Sequence, residues 1–326
     1  MKEYASFLKL FSDHLDEYVS GLSQKKPKEL YDPESYILGL GGKRVRPLLA
    51  LIACDLFDKK PERALDAALA VELFHNFSLV HDDILDAAPL RRNKPTVHVK
   101  WNNNIAILSG DAILVKAFQS LESYDAAVFK SLVILFNTTA VEVCEGQQLD
   151  MNFEQAAHIP VSEYINMITL KTAVLLGCSL QMGAIVAGAS VENQLSLYEF
   201  GKHLGISFQL LDDLLDAFAE DTEKFGKQAG GDILANKKTF LLLKAMELAG
   251  PGQQKEIRRL MAPGNPEEKI KNMISVYSDL HIKDLAREEA DRHTRLAIDY
   301  LEKVEASPEK KNKLKRFALE LLSRQI

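Results

Sequence analysis

Along most of the chain, apolar residues recur three and four positions apart, and the strict alternation of a half-buried strand is scarce. The spacing predicts helices over residues 4–22, 45–57, 62–87, 104–123, 127–153, 161–189, 191–218 and 240–248, then more charged amphipathic ones over 255–260, 266–278, 283–304 and 308–323. Gly and Pro punctuate the pattern at 39–42, 88–95, 158–160, 226–231, 251–252 and 263–266, where helices are expected to end. No long linker or repeat interrupts it. The expectation is one all-α domain over residues 1–326, a bundle of about ten or more helices in which 251–326 form peripheral helices of the same body. Residues 172–191 carry no charge and approach the length of a membrane span. Their serines, glutamine and glycines fit a buried central helix better, so no transmembrane segment is expected.

Two acidic clusters stand at the ends of apolar helical runs: Asp82-Asp83-Ile84-Leu85-Asp86 and Asp212-Asp213-Leu214-Leu215-Asp216. Helix positions four apart differ by only about 40° in direction, adjacent ones by about 100°. Asp82 and Asp86 therefore share a face, as do Asp212 and Asp216, while Asp83 and Asp213 point elsewhere. Carboxylates stacked one turn apart repel unless a cation lies between them, and oxygen ligands suit Mg²⁺, which shares its shell with water and phosphates. A solvated acidic helix end would explain one cluster; the repeated spacing beside apolar residues argues against it for two. Upstream, one stripe runs through Ser78 and His75 and the other through Phe208 and Gly205, with Gln209 adjacent. Facing each other, two such helices would enclose a deep apolar slot with a charged mouth, suited to a diphosphate head on a hydrocarbon tail.

Cationic residues complement this picture. Gly41-Gly42-Lys43-Arg44-Val45-Arg46-Pro47 places Lys43 and Arg46 at a helix start, where glycines and helix N–H groups favour an anion; it lacks the ending of a nucleotide phosphate loop. Arg91 and Arg92 follow the first cluster and can fork onto phosphate. Lys171-Thr172 opens the uncharged run, where a buried Lys would need an anionic partner. Lys227 and Lys237 follow the second cluster. Taken singly, each fits a surface basic residue, and His75 fits a satisfied core histidine.

Composition adds limits. A net charge of -6 argues against a nucleic-acid binder. Three scattered cysteines imply neither zinc nor disulfides and suit a reducing, cytoplasmic setting. The N-terminus lacks the basic start and apolar core of a signal peptide.

The segments Gly42–Pro47 and His75–His98, Gly110-Asp111, Gly146-Gln147 with Asp150, Lys171-Thr172, and Gln209 through Asp216 to Lys237 together resemble the trans-isoprenyl diphosphate synthases, over roughly residues 41–244. The resemblance implies the all-α isoprenoid synthase bundle around a deep central cavity, usually a homodimer. It implies that Asp82, Asp86, Asp212 and Asp216 bind Mg²⁺, three ions with the allylic diphosphate in place. Arg91, Lys171, Thr172, Gln209, Lys227 and Lys237 would contact that diphosphate, with Asp82, Asp86, Asp212, Lys171 and Lys237 nearest the chemistry. Lys43, Arg46, His75 and Arg92 would hold isopentenyl diphosphate. Asn93 stands where the family often has Gly, and the first cluster lacks the two-residue insertion of many bacterial short-chain members.

The implied reaction condenses isopentenyl diphosphate with a dimethylallyl, geranyl or farnesyl diphosphate. In this family an aromatic residue just before the first cluster shortens the product, so Phe77 beside the small Ser78 points to a C20 or C15 chain. Alternatives are a longer-chain synthase, a terpene cyclase, which would lack the second anion site, and a non-catalytic regulatory subunit, whose acidic clusters would be degenerate.

Overall fold

A computed structural model describes residues 2–156, 158–218 and 230–323. The helices are α1 (Ala5–Leu22), α2 (Lys28–Gly39), α3 (Val45–Leu56), α4 (Leu65–Leu85), α5 (Val97–Lys100), α6 (Asn103–Gln119), α7 (Ala126–Gln155), α8 (Val161–Ile168), α9 (Val174–Ala187), α10 (Val191–Phe218), α11 (Gly231–Leu234), α12 (Phe240–Leu248), α13 (Pro251–Met261), α14 (Pro266–Asp279), α15 (Ile282–Glu302) and α16 (Pro308–Ser323). The all-α expectation holds.

Four local features depart from the periodic reading. Helix α2 forms although Pro33 lies inside it. Residues 88–95, expected as a plain break, contain a minimal hairpin in which β1 (Leu90–Arg91) pairs with β2 (Lys94–Pro95). Its two turn residues, Arg92 and Asn93, have φ of 51° and 61°, and positive φ at both positions is what a tight hairpin turn requires. Asn93 thus serves where the family often has Gly. The expected helix 161–189 is also not continuous α: Thr169–Ala173 is a π-helical turn between α8 and α9. Such single-turn insertions cluster at functional sites. Finally, the short helices α5 and α11 form where the spacing predicts no helix.

The chain divides into two compact units. The first comprises Met1–Thr138, Cys178–Tyr198 and Val304–Lys313. Within it α4 is buried without interruption from Ala67 to Phe74 and packs along α3 and α6. Helices α3 and α9 approach closely, since a Cβ on Gly183 would lie 2.1 Å from the Ala50 carbonyl oxygen. The second unit comprises Thr139–Gly177, Glu199–Lys303 and Leu314–Ile326. Here α12 packs on α8 and α15, and α14 on α11 and α13. Met273, Tyr277, Ala290 and Leu301 are buried there.

Among the described residues, two helical stretches are long and apolar enough to cross a membrane. Of the Val161–Ala187 window, 78% is buried, as a core helix requires; for Ala126–Gln155 the figure is 22%.

Candidate active site

In the first unit, the Gly-rich loop gathers cationic side chains. Gly41 and Gly42 have φ of 82° and 130°, conformations open to glycine. A Cβ on Gly42 would lie 2.7 Å from both terminal nitrogens of Arg92, so the loop backbone rests directly on that guanidinium. Arg44, the N-cap of α3 at φ 48°, turns inward. It donates to the buried Glu72 and to the Leu38 carbonyl, while Asn76 Nδ2 donates to Glu72 Oε1 at 2.9 Å. Arg44 therefore anchors the loop and leaves Lys43 exposed and Arg46 in the first turn of α3.

Arg46 Nη1 lies 3.4 Å from His75 Nε2. Burial, then Arg46, Arg92, Arg91 and Arg44, hold the His75 pKa well below its usual value. A neutral imidazole accepting at Nε2 carries its proton on Nδ1 and can offer it to an anion. Burial also lowers Arg46 to about 10, and its Nε is buried with no hydrogen-bond partner. An unanswered buried donor costs about 1–3 kcal/mol. Four arginines around a neutral histidine thus make a site that an anion would stabilise.

Asp82 and Asp86 lie on the last turn of α4 and at its C-cap, so one turn separates them as the spacing predicts. Asp83 points into the body, 1% exposed, and accepts Arg91 Nε at 2.8 and 3.0 Å and Nη2 at 2.7 Å. Arg91 Nη2 is also 3.9 Å from Asp82. His81 Nε2 donates to the Ile107 carbonyl of α6 at 3.2 Å. Gly110 makes this approach possible, since a Cβ there would fall 2.4 Å from that nitrogen. Below the cluster, Phe77 meets the His81 ring at 4.7 Å and Phe74 at 5.6 Å, Phe74 meets Phe136 at 5.3 Å, and Phe136 meets Phe118 at 5.0 Å. Phe77 and Ser78 are half-buried, and the Ser78 hydroxyl is satisfied by the His75 carbonyl at 2.9 Å.

In the second unit, α10 presents Asp212 exposed, Asp216 half-buried and Asp213 4% exposed. Asp213 accepts from the Tyr164 hydroxyl and from Gln209 Nε2 at 3.1 Å, and burial pushes its pKa up to about 7. Asp216 Oδ2 accepts the Asp232 N–H at 2.8 Å, anchoring the start of α11. The π-turn carrying Lys171 and Thr172 is seated on two glycines: a Cβ on Gly146 of α7 would lie 2.2 Å from the Lys171 nitrogen, and one on Gly205 of α10 would lie 2.6 Å from Ala173 Cα. Lys171 donates to Asp150 at 2.6 Å, the anionic partner its apolar surroundings demand. Thr172 donates to Gln209 Oε1 at 3.3 Å. Lys237 is half exposed, 3.9 Å from Asp232. Its neighbour Lys238 instead donates to the Phe153, Glu154 and Ala156 carbonyls at the end of α7, a favourable place for a cation. Lys227 lies outside the described residues. Sequence reasoning missed Tyr164 and Glu72, which belong to no spaced cluster, and gave Arg44 no role although it lies inside the Gly-rich basic motif.

Asp82 with Asp86, and Asp212 with Asp216, are hard oxygen pairs one turn apart, the donor chemistry of Mg²⁺. Among the described residues no group of three or more His, Cys, Asp or Glu closes a cage. Pairs of this kind suit an ion that completes its shell with water and phosphate oxygens.

A family model described as polyprenyl synthetase matches residues 27–279. The chain is 37% identical over 320 residues to a geranylgeranyl diphosphate synthase of Sulfolobus acidocaldarius, covering 96% of this chain and 94% of that one. It is 34% identical to a short chain isoprenyl diphosphate synthase of Methanothermobacter thermautotrophicus, covering 94% of each. Among solved structures, one of a geranylgeranyl pyrophosphate synthase superposes with a TM-score of 0.92 at 43% identity, covering 97% of this chain and 98% of that one.

Proposed function

The chain belongs to the polyprenyl synthetase family, and we propose that it is a magnesium-dependent trans-prenyltransferase that condenses isopentenyl diphosphate with an allylic diphosphate to give geranylgeranyl diphosphate, a C20 product. The observation that supports this reading is the cationic cluster of Arg46, His75 and Arg92 beside Gly42, in addition to the acidic pairs. A terpene cyclase needs no second diphosphate, and a non-catalytic subunit needs no intact acidic clusters.

Asp82 with Asp86, and likewise Asp212 with Asp216, would hold magnesium, which would supply Lewis-acid neutralisation of the departing diphosphate. Arg91, Lys171, Thr172, Gln209, Lys227 and Lys237 bind the same diphosphate and offset the charge it gains as the allylic C–O bond breaks. Arg46, Arg92 and Lys43 hold isopentenyl diphosphate, with a hydrogen bond from His75 Nδ1. Its double bond attacks the allylic cation, and loss of a proton to the released diphosphate restores the alkene. Water must be excluded, because it would capture the cation.

Phe77 forms the floor that ends elongation, braced from below by Phe74 and Phe136. A longer-chain activity would need that ring to move. The exposed apolar residues Ile107, Leu108 and Val115 on α6 and Ile134 on α7 support a homodimer. We read the whole chain as one catalytic domain, because the family model draws on both compact units. Cysteines that form no disulfide fit a cytoplasmic setting.

Incubation with farnesyl diphosphate tests this reading. Consumption is expected only when isopentenyl diphosphate and Mg²⁺ are both present. Turnover to a hydrocarbon without isopentenyl diphosphate would make the enzyme a cyclase.

A further inference from the structure

We infer that Tyr164 is a positioning residue for the allylic diphosphate, acting through Asp213 on Gln209; the inference rests on the function proposed above and assigns a role to residues outside the metal and phosphate sets. Tyr164 lies on α8, 2% exposed, and its hydroxyl donates to Asp213 Oδ2. The other oxygen of Asp213 accepts from Gln209 Nε2 at 3.1 Å, and Gln209 Oε1 accepts from Thr172 at 3.3 Å. Four side chains from α8, the π-turn and α10 thus form one chain of hydrogen bonds.

The polarity of that chain fixes the Gln209 amide. Its oxygen faces a hydroxyl donor and its nitrogen a carboxylate, so a flipped amide would oppose acceptor to acceptor. One N–H of the amide is consumed by Asp213, which leaves the second for a ligand oxygen. Tyr164 is the member that makes the arrangement stable. Asp213 is almost fully buried, and a buried carboxylate oxygen without a donor is costly. Phe at 164 would keep the ring and remove the donor, so Asp213 would recruit its remaining partner differently and Gln209 would lose its fixed orientation. The first cluster shows the same division of tasks. Its middle aspartate, Asp83, is buried and occupies two nitrogens of Arg91.

The test is steady-state kinetics of Tyr164→Phe, Gln209→Ala and the double variant, each substrate varied in turn, on protein whose fold is checked by circular dichroism. Prenyl transfer by the unaltered enzyme is measured first; its absence would sink the proposed function and not this inference. Tyr164→Phe is expected to raise KM for the allylic diphosphate roughly tenfold and to leave KM for isopentenyl diphosphate unchanged. The double variant is expected to be no worse than Gln209→Ala alone, because both changes break one chain. Additive losses, equal shifts in both KM values, or no shift would overturn the inference. Should Tyr164→Phe fail to fold, Asp213→Asn decides: its amide can still accept from Tyr164 but opposes the Gln209 nitrogen, so the same selective KM rise is expected, and its absence overturns the role.

Discussion

At Asp83 the Arg91 guanidinium takes both carboxylate oxygens, whereas Asp82, one residue earlier, lies 3.9 Å from the same group and remains half-buried. Helical geometry separates the two tasks, and the structure gives Asp83 one that the spacing could not. Asp82→Ala is expected to abolish prenyl transfer. Asp83→Asn should retain measurable turnover with a raised KM for the allylic diphosphate, since it loosens Arg91 without removing a metal ligand. Equal kcat losses in both would contradict this. At Arg46, a buried guanidinium with an unanswered Nε, replacement by Ala should weaken isopentenyl diphosphate binding by roughly ten- to hundredfold. Calorimetric titration with isopentenyl diphosphate alone measures it, and unchanged affinity would remove Arg46 from that site.

Among the elements, α4 and α10 were legible because their acids repeat at one helical turn after long apolar runs. The π-turn was not. It inserts into a run of apolar residues whose helical periodicity barely changes, and its cause lies on other helices, where Gly146 and Gly205 make room. The hairpin was hidden because Arg92-Asn93 takes a turn usually signalled by Gly. The pairing of Tyr164 with Asp213 joins residues far apart in sequence and leaves no local trace. Gly146→Ala places a methyl 2.2 Å from backbone nitrogen. It should therefore cost more than the roughly 1–3 kcal/mol of ordinary overpacking, visible as a large drop in melting temperature together with lost activity. An unchanged melting temperature would mean that the π-turn shifts freely. Helix α15 supplies a pH test. His293 is buried against His203 and Arg292, with Glu289 nearby, and its pKa falls from 6.5 to about 4, chiefly through burial. The unfolded chain therefore binds a proton that the folded one refuses between those values. Stability should fall as pH drops from about 6.5 towards 4, and His293→Gln should flatten that slope in thermal melts.

For the whole molecule, the exposed apolar set on α6 and α7 and the aromatic column under His81 carry separate consequences. Val115→Asp should convert a dimer to monomers in sedimentation equilibrium; an unaltered assembly would place the interface elsewhere. Phe77→Ala should lengthen the product, and an unchanged product spectrum would remove Phe77 as the floor. The reaction class was readable from ordered motifs spanning most of the chain. Product length was less so, because Phe77 is held by rings on α4 itself, α6 and α7 whose meeting only the fold reveals. The most direct test of the account is the mass of the prenyl diphosphate formed from isopentenyl diphosphate and Mg²⁺ with dimethylallyl, geranyl or farnesyl diphosphate in turn. The account predicts a C20 product from every primer, lost on chelation of magnesium; a dominant chain of C25 or longer, or no prenyl diphosphate from any primer, would contradict it.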